Sequence, residues 1–100
     1  MDFDKTNNDE RLLDALSQLL GVSGFEQEVC SWYLEKVKSS VSKSFLDVMG
    51  NAYGVISGSG SGKNIMIEAH ADEIGFQILY IDENGYLYLR RYGGIDEHCI

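Results

Sequence analysis

The stretch NIMIEAHADEIGF, residues 64–76, carries the most information about the fold of this chain. It opens with a short, mostly apolar run over Asn64–Ala69, which is typical of a strand inside an α/β sheet. His70 and Asp72 follow directly after this run. Catalytic groups in α/β sheets concentrate at the carboxyl ends of strands, where the crevice lies. The two side chains are therefore predicted to face such a crevice.

The pair formed by His70 and Asp72 has the chemistry of a metal site. A neutral imidazole is a good zinc ligand, and a nearby carboxylate can accept its other N–H and fix the tautomer. The same H-x-D spacing also occurs in ordinary polar turns, and one histidine does not define a site that needs three or four ligands. Spacing alone leaves both interpretations open, and it leaves the roles of Glu68 and Glu73 open as well.

Two helices are predicted upstream of this strand. The first spans Asp9–Leu20, because leucines recur there at three- and four-residue spacing and form one apolar stripe. The second begins at a capping box made by Ser23 and Glu26 and runs to about Ser40. Together with the strand, these helices indicate the beginning of an α/β domain.

The other segments are predicted to form strands and turns. The GSGSGK run at residues 58–63 is interpreted as a flexible loop, because Asn64 follows Lys63 where a phosphate-binding loop needs Ser or Thr. The last two strands form a β-hairpin around a turn at residues 83–85. The sheet that results is expected to be mixed. Its remaining strands are predicted over Ser44–Met49, Ala52–Ser57, Phe76–Asp82 and Tyr86–Arg91.

Composition narrows the class of protein. The chain has 100 residues and a net charge of -8, which argues against nucleic acid or an anionic membrane as a partner. No apolar run approaches the roughly 18 residues that span a bilayer. The acidic, polar start is not a targeting signal, and Cys30 and Cys99 show no disulfide framework. We therefore expect a cytoplasmic protein, in which Cys30 is a small buried hydrophobe.

Five patches occur along the chain in a distinctive order. This order resembles the start of the glutamyl-aminopeptidase and tetrahedral-aminopeptidase family of metallopeptidases, some of whose members carry the older label cellulase M. The resemblance runs from about Leu12 to Asp96 and is specific because of the order of the patches. These patches are GVSGFE (21–26), DVMGN (47–51), AHADEIGF (69–76), IDENG (81–85) and GGID (93–96).

The resemblance implies a parent chain several times longer, which would be a metal-dependent aminopeptidase acting on peptides. It implies an α/β catalytic domain with two divalent metal ions, zinc or cobalt, and an inserted β-rich domain that helps to build a homo-oligomer. Residues 1–75 would belong to the catalytic domain, and residues 76–100 would begin the inserted one. His70 matches a metal ligand of the family, and Asp72 matches the carboxylate that orients it.

In this family the other ligands and the general base lie further along the chain. The 100 residues alone are therefore expected to bind no metal ion and to have no peptidase activity. A non-catalytic α+β module for binding or assembly is the alternative, in which the sheet and hairpin form an interaction surface and His70 is structural. The roles of His98 and Cys99 are left open.

Overall fold

The computed structural model describes residues 3–96 and residue 98, and it describes the side chains of the first helix from Asp9 onward. The α/β content predicted from the sequence is confirmed, with two helices preceding all of the strands. The elements are α1 (Phe3–Ser17), α2 (Gln27–Val37), β1 (Lys43–Leu46), β2 (Ala52–Val55), β3 (Gly75–Ile81) and β4 (Leu87–Tyr92).

Helix α1 ends before its predicted end at Leu20. The N–H of Leu19 donates to the carbonyl of Leu16 at 3.2 Å, and the Ser17 hydroxyl donates to the carbonyl of Asp14 at 2.8 Å. These bonds close the last turn of the helix. The leucine stripe is largely uncovered, since Leu20 is 72% exposed. Neither helix in the described part of the chain is long and apolar enough to cross a membrane.

The capping box predicted for α2 is wrong. The helix begins at Gln27, and its N-cap residue, Glu26, makes no side-chain capping bond. The Ser23 hydroxyl instead donates to the carboxylate of Asp72, and Glu26 Oε1 accepts the N–H of Gly24 at 2.6 Å. Both side chains are therefore occupied elsewhere, so the helix starts without them.

Helix α2 packs on the hairpin formed by β1 and β2. Cys30 on this helix is 5% exposed and is the one buried hydrophobic side chain among the described residues, as predicted. In the hairpin, the rings of Phe45 and Tyr53 stack with centroids 4.9 Å apart. The two predicted strands are thus present, although each is shorter than the sequence suggested.

The second hairpin, β3–β4, confirms the predicted pairing around residues 83–85. The strands are antiparallel, with Gly75 opposite Tyr92 and Ile81 opposite Leu87. The register shifts between Ile78 and Tyr80, which marks a bulge. Tyr80 is 56% exposed, so the hairpin presents large side chains to solvent.

Both hairpins turn in the same way. In the first, Oδ1 of Asp47 accepts the backbone N–H groups of the residues two and four positions later, each at 2.9 Å. In the second, Oδ1 of Asp82 accepts the equivalent N–H groups at 2.9 Å. The third residue after each aspartate, Gly50 or Gly85, has a φ near +90°, which favours glycine. A D-x-x-G pattern therefore specifies both turns.

The strand predicted over Asn64–Ala69 does not form, and the predicted mixed sheet is replaced by two separate antiparallel hairpins. The backbone groups of an inner strand need a partner on a neighbouring strand. In the part of the chain that the structure describes, β1 pairs with β2 and β3 with β4, so no strand lies beside this segment. Its apolar side chains stay in solvent, with Ile65 at 87% and Ile67 at 94% exposed.

Candidate functional site

A tight turn at residues 22–25 forms the first half of the candidate site. The N–H of Phe25 donates to the carbonyl of Val22 at 2.7 Å. Gly24, the third residue of the turn, has a φ of +89°, which is the conformation that a type II turn needs at this position. Ser23 is the second residue and is partly buried. The turn therefore fixes the backbone that carries the Ser23 hydroxyl.

The segment that contains His70 and Asp72 docks against this turn. The N–H of Glu73 donates to the carbonyl of Gly21 at 2.7 Å, and Val22 and Glu73 form an isolated parallel bridge. Gly75 permits the close approach, because a Cβ at that position would collide with the Val22 side chain. Residues 21–23 and 72–75 are thus held together by the backbone. The sequence predicted that the end of a strand would position His70 and Asp72, whereas in the structure this backbone contact does so.

The Asp72 carboxylate joins the two segments. Its Oδ2 accepts a hydrogen bond from the Ser23 hydroxyl, and its Oδ1 lies 3.0 Å from Nδ1 of His70. The Ser23 hydroxyl lowers the pKa of the Asp72 carboxyl below its usual value, and the bond to His70 lowers the pKa further. The site therefore favours the ionised carboxylate, which can only accept hydrogen bonds.

The surroundings of His70 define its tautomer. Nδ1 lies 2.8 Å from the backbone carbonyl oxygen of Asp72 and 3.0 Å from the Oδ1 atom of the same residue. Both oxygens are acceptors, so Nδ1 must carry the proton, and the lone pair of the neutral ring lies on Nε2. The side chain is 84% exposed. The predicted hydrogen bond between His70 and Asp72 is confirmed, and Nε2 can take a metal ion.

The structure treats the neighbouring acidic residues differently. Glu68 lines an open cavity of about 410 Å³ together with Ala69 and His70. Glu73 contributes its backbone to the contact with Gly21. The sequence left the roles of both residues open, and it did not predict the backbone contact of Glu73.

The remaining histidine forms a pair of its own. Nδ1 of His98 lies 2.8 Å from Oδ1 of Asp96, and the pair is exposed. Cys99 lies outside the described residues. Within residues 3–96 and 98, no three His, Cys, Asp or Glu side chains come together as a metal cluster. The site thus contains one imidazole that is suitable as a ligand and one carboxylate hydrogen-bonded to it.

The role of Ser23 was missed by the sequence prediction, which made it a helix cap. A signal was present, because Ser23-Gly24 is a dipeptide of the kind that marks turns. That signal would have moved the helix start beyond the turn. It could not have identified Asp72 as the partner.

The family comparison agrees with the resemblance seen in the motifs. A family model of the M42 glutamyl aminopeptidases matches residues 50–100. This match includes the His70–Asp72 segment and the whole β3–β4 hairpin.

Individual relatives extend the match toward the N-terminus. A protein of Acetivibrio thermocellus that is assigned as an aminopeptidase is 39% identical over 90 residues, which cover 89% of this chain and 27% of the relative. The FrvX protein of Escherichia coli K12, also assigned as an aminopeptidase, is 32% identical over 83% of this chain and 23% of its own length. A lysyl aminopeptidase of Pyrococcus furiosus is 30% identical over 87% of this chain and 25% of its own length.

The chain spans about a quarter of the length of the curated relatives it matches. No solved structure gives a significant match.

Proposed function

Because the chain belongs to the M42 glutamyl aminopeptidase family, we propose that the full-length protein is a metal-dependent aminopeptidase that removes N-terminal residues from peptides. The observation that supports this proposal most directly is the arrangement of His70 and Asp72, which leaves one ring nitrogen with a free lone pair. The chain supplies part of such a site, so we propose that these 100 residues alone are inactive.

In this proposal His70 binds a metal ion through Nε2, and Asp72 holds the ring in the required tautomer and orientation. Two divalent ions, zinc or cobalt, would supply Lewis-acid activation of the peptide carbonyl and of water. The exposed position of the imidazole fits a ligand that must be reached from outside. The other ligands and the general base would come from parts of the protein beyond the described residues.

The wider organisation is also part of the proposal. Residues 1–75 would belong to the catalytic domain, and residues 76–100 would begin an inserted β-rich domain. The β3–β4 hairpin begins close to this boundary. Its exposed side chains, such as Leu87 at 53% and Tyr80 at 56%, would suit burial in a homo-oligomer. We also propose a cytoplasmic location, with no nucleic acid or membrane partner.

A non-catalytic α+β module for binding or assembly is the second candidate. The observation in its favour is the exposed β3–β4 hairpin, which could serve as an interaction surface. In that case the bond between His70 and Asp72 would only order the loop.

Hydrolysis of amino-acid anilides by the longest product of the gene separates the two candidates. We expect turnover that needs zinc or cobalt and stops on chelation. In His70→Ala it should fall by more than the roughly 10–100-fold loss expected for a group that only supports a ligand. His98→Ala is the matched control, because His98 is also an exposed histidine bonded to an aspartate.

The control should keep the activity of the parent protein. Turnover that survives chelation, or that falls equally in the two variants, would contradict the metal role of His70. A product that binds no divalent ion and hydrolyses none of the anilides would favour the module.

A further inference from the structure

We propose that Ser23 is a positioning residue, which orients the Asp72 carboxylate so that its other oxygen faces His70. This inference rests on the proposed function, because the effect is felt at the metal ligand. It assigns a role to the GVSGFE patch, which had no function in the proposal above.

The division of the carboxylate oxygens supports this role. Oδ2 of Asp72 accepts a hydrogen bond from the Ser23 hydroxyl, and Oδ1 accepts one from Nδ1 of His70. A carboxylate on a side chain that is 39% exposed can rotate and be solvated by water. A second hydrogen bond at Oδ2 restricts this rotation, because both donors are satisfied in only one orientation of the carboxylate plane. The Ser23 hydroxyl therefore fixes the plane of the Asp72 carboxylate relative to the His70 ring.

The backbone around Ser23 is built to hold the hydroxyl in place. The turn from Val22 to Phe25 closes with a 2.7 Å hydrogen bond, and the bond from Glu73 to Gly21, also 2.7 Å, joins the turn to the Asp72 segment. Two backbone contacts thus flank the side-chain bond. The position of Ser23 relative to Asp72 does not depend on the hydroxyl alone.

The hydroxyls of Ser17 and Ser59 make bonds of a different kind. The Ser17 hydroxyl bonds to a carbonyl three residues away, and the Ser59 hydroxyl bonds to Ser61. These are local bonds of the kind that turns and helix ends make. The bond from Ser23 crosses 49 residues and ends on the carboxylate that contacts the imidazole. A bond of this kind is expected of a residue that positions the Asp72 carboxylate.

The test measures zinc affinity by chelator competition in the longest product of the gene. Ser23→Ala should weaken zinc binding by about 10-fold, as expected for loss of a group that supports a metal ligand. Thr and Val have nearly the same shape, so Ser23→Thr should restore the affinity and Ser23→Val should not. Ser42→Ala is the control, since Ser42 Oγ accepts a backbone N–H from Ser57 at 3.0 Å, at the open end of the first hairpin.

A double variant tests the route of the effect. If Ser23 acts through Asp72, then adding Ser23→Ala to Asp72→Ala should change zinc affinity no further. The visible spectrum of the cobalt-loaded protein should change in Ser23→Ala and be native in Ser23→Thr. Thermal unfolding of each variant shows that it is folded.

The outcomes separate this inference from the proposed function. If His70→Ala weakens zinc binding while Ser23→Ala and Ser23→Val match the parent, the role of Ser23 is overturned and the function stands. If His70→Ala leaves zinc binding unchanged, the proposed function fails, and this inference fails with it. Additive losses in the double variant would also overturn the route through Asp72.

Discussion

The Nδ1 atom of His70 lies 3.0 Å from the Oδ1 atom of Asp72, two residues further along the chain. This bond and the 2.8 Å contact between Nδ1 and the backbone carbonyl of Asp72 keep the proton on Nδ1 and leave the lone pair on Nε2. In the full-length protein, we expect Asp72→Ala to lower zinc affinity by roughly 10–100-fold. Asp72→Asn should lose less, because an amide oxygen can still accept the Nδ1 proton. Chelator competition measures both.

Asp96→Ala is the control for this comparison, because Asp96 makes the same kind of bond to His98. It should leave zinc affinity unchanged. If Asp72→Ala and Asp96→Ala lowered zinc affinity equally, the loss would come from the removal of a negative charge and not from a change in the orientation of the His70 ring.

The close contact between Gly75 and Val22 predicts that a side chain at position 75 destabilises the protein. Gly75→Ala would drive a Cβ into the Val22 side chain, and overpacking of this kind typically costs about 1–3 kcal/mol. We expect a lower free energy of unfolding together with weaker zinc binding, since the collision would separate the two halves of the site. Denaturant unfolding and chelator competition measure the two effects.

Gly58→Ala provides the matched substitution, because nothing lies within 4 Å of a Cβ at that position. It should be neutral or stabilise the protein by less than about 1 kcal/mol, because alanine lowers the conformational entropy of the unfolded chain. If Gly75→Ala is as well tolerated as Gly58→Ala, the close packing described at Val22 is incorrect.

The first hairpin turn predicts a contribution to stability that depends on pH. The Asn51 side-chain amide donates to the Asp47 carboxylate and, with the backbone N–H groups of the turn, lowers the pKa of that carboxyl. A carboxyl whose pKa is lower in the folded state stabilises the fold above its unfolded pKa of about 3.9. That stabilisation is lost as the pH falls through the folded pKa.

We therefore expect the difference in unfolding free energy between the parent and Asp47→Asn to be largest near neutral pH. It should shrink as the pH falls below about 4. Urea unfolding over a series of pH values measures this difference. A difference that stays constant down to pH ~2 would show that the charge of Asp47 has no part in the turn.

The 100-residue chain should show no peptidase activity of its own. Among its described residues no three candidate ligands cluster, and a catalytic metal needs several ligands acting together. The assay uses amino-acid anilides with added zinc or cobalt, beside the longest product of the gene. Chelator-sensitive turnover by the short chain, abolished by His70→Ala, would contradict this prediction and place the catalytic centre elsewhere.

The features that could be predicted from the sequence are local ones. The turn at residues 83–85 depends on a few neighbouring residues, and so does the bond between His70 and Asp72. Whether residues 64–69 form a strand could not be predicted from neighbouring residues, because a strand needs a partner strand to accept and donate its backbone hydrogen bonds. The partner of Ser23 was missed for a similar reason, since Asp72 lies 49 residues away.

This separation along the chain has a consequence for the order of folding. Each hairpin closes around a short D-x-x-G turn, and small loops form fast, whereas the bond from Ser23 to Asp72 closes a loop of 49 residues at a larger entropic cost. We expect α2 and the first hairpin to be present before this bond forms. Ser23→Ala should then speed unfolding and leave the refolding rate nearly unchanged in stopped-flow measurements. The Asp72 carboxylate, which we propose supports a metal ligand, would thus be fixed late, after the surrounding chain has already taken shape.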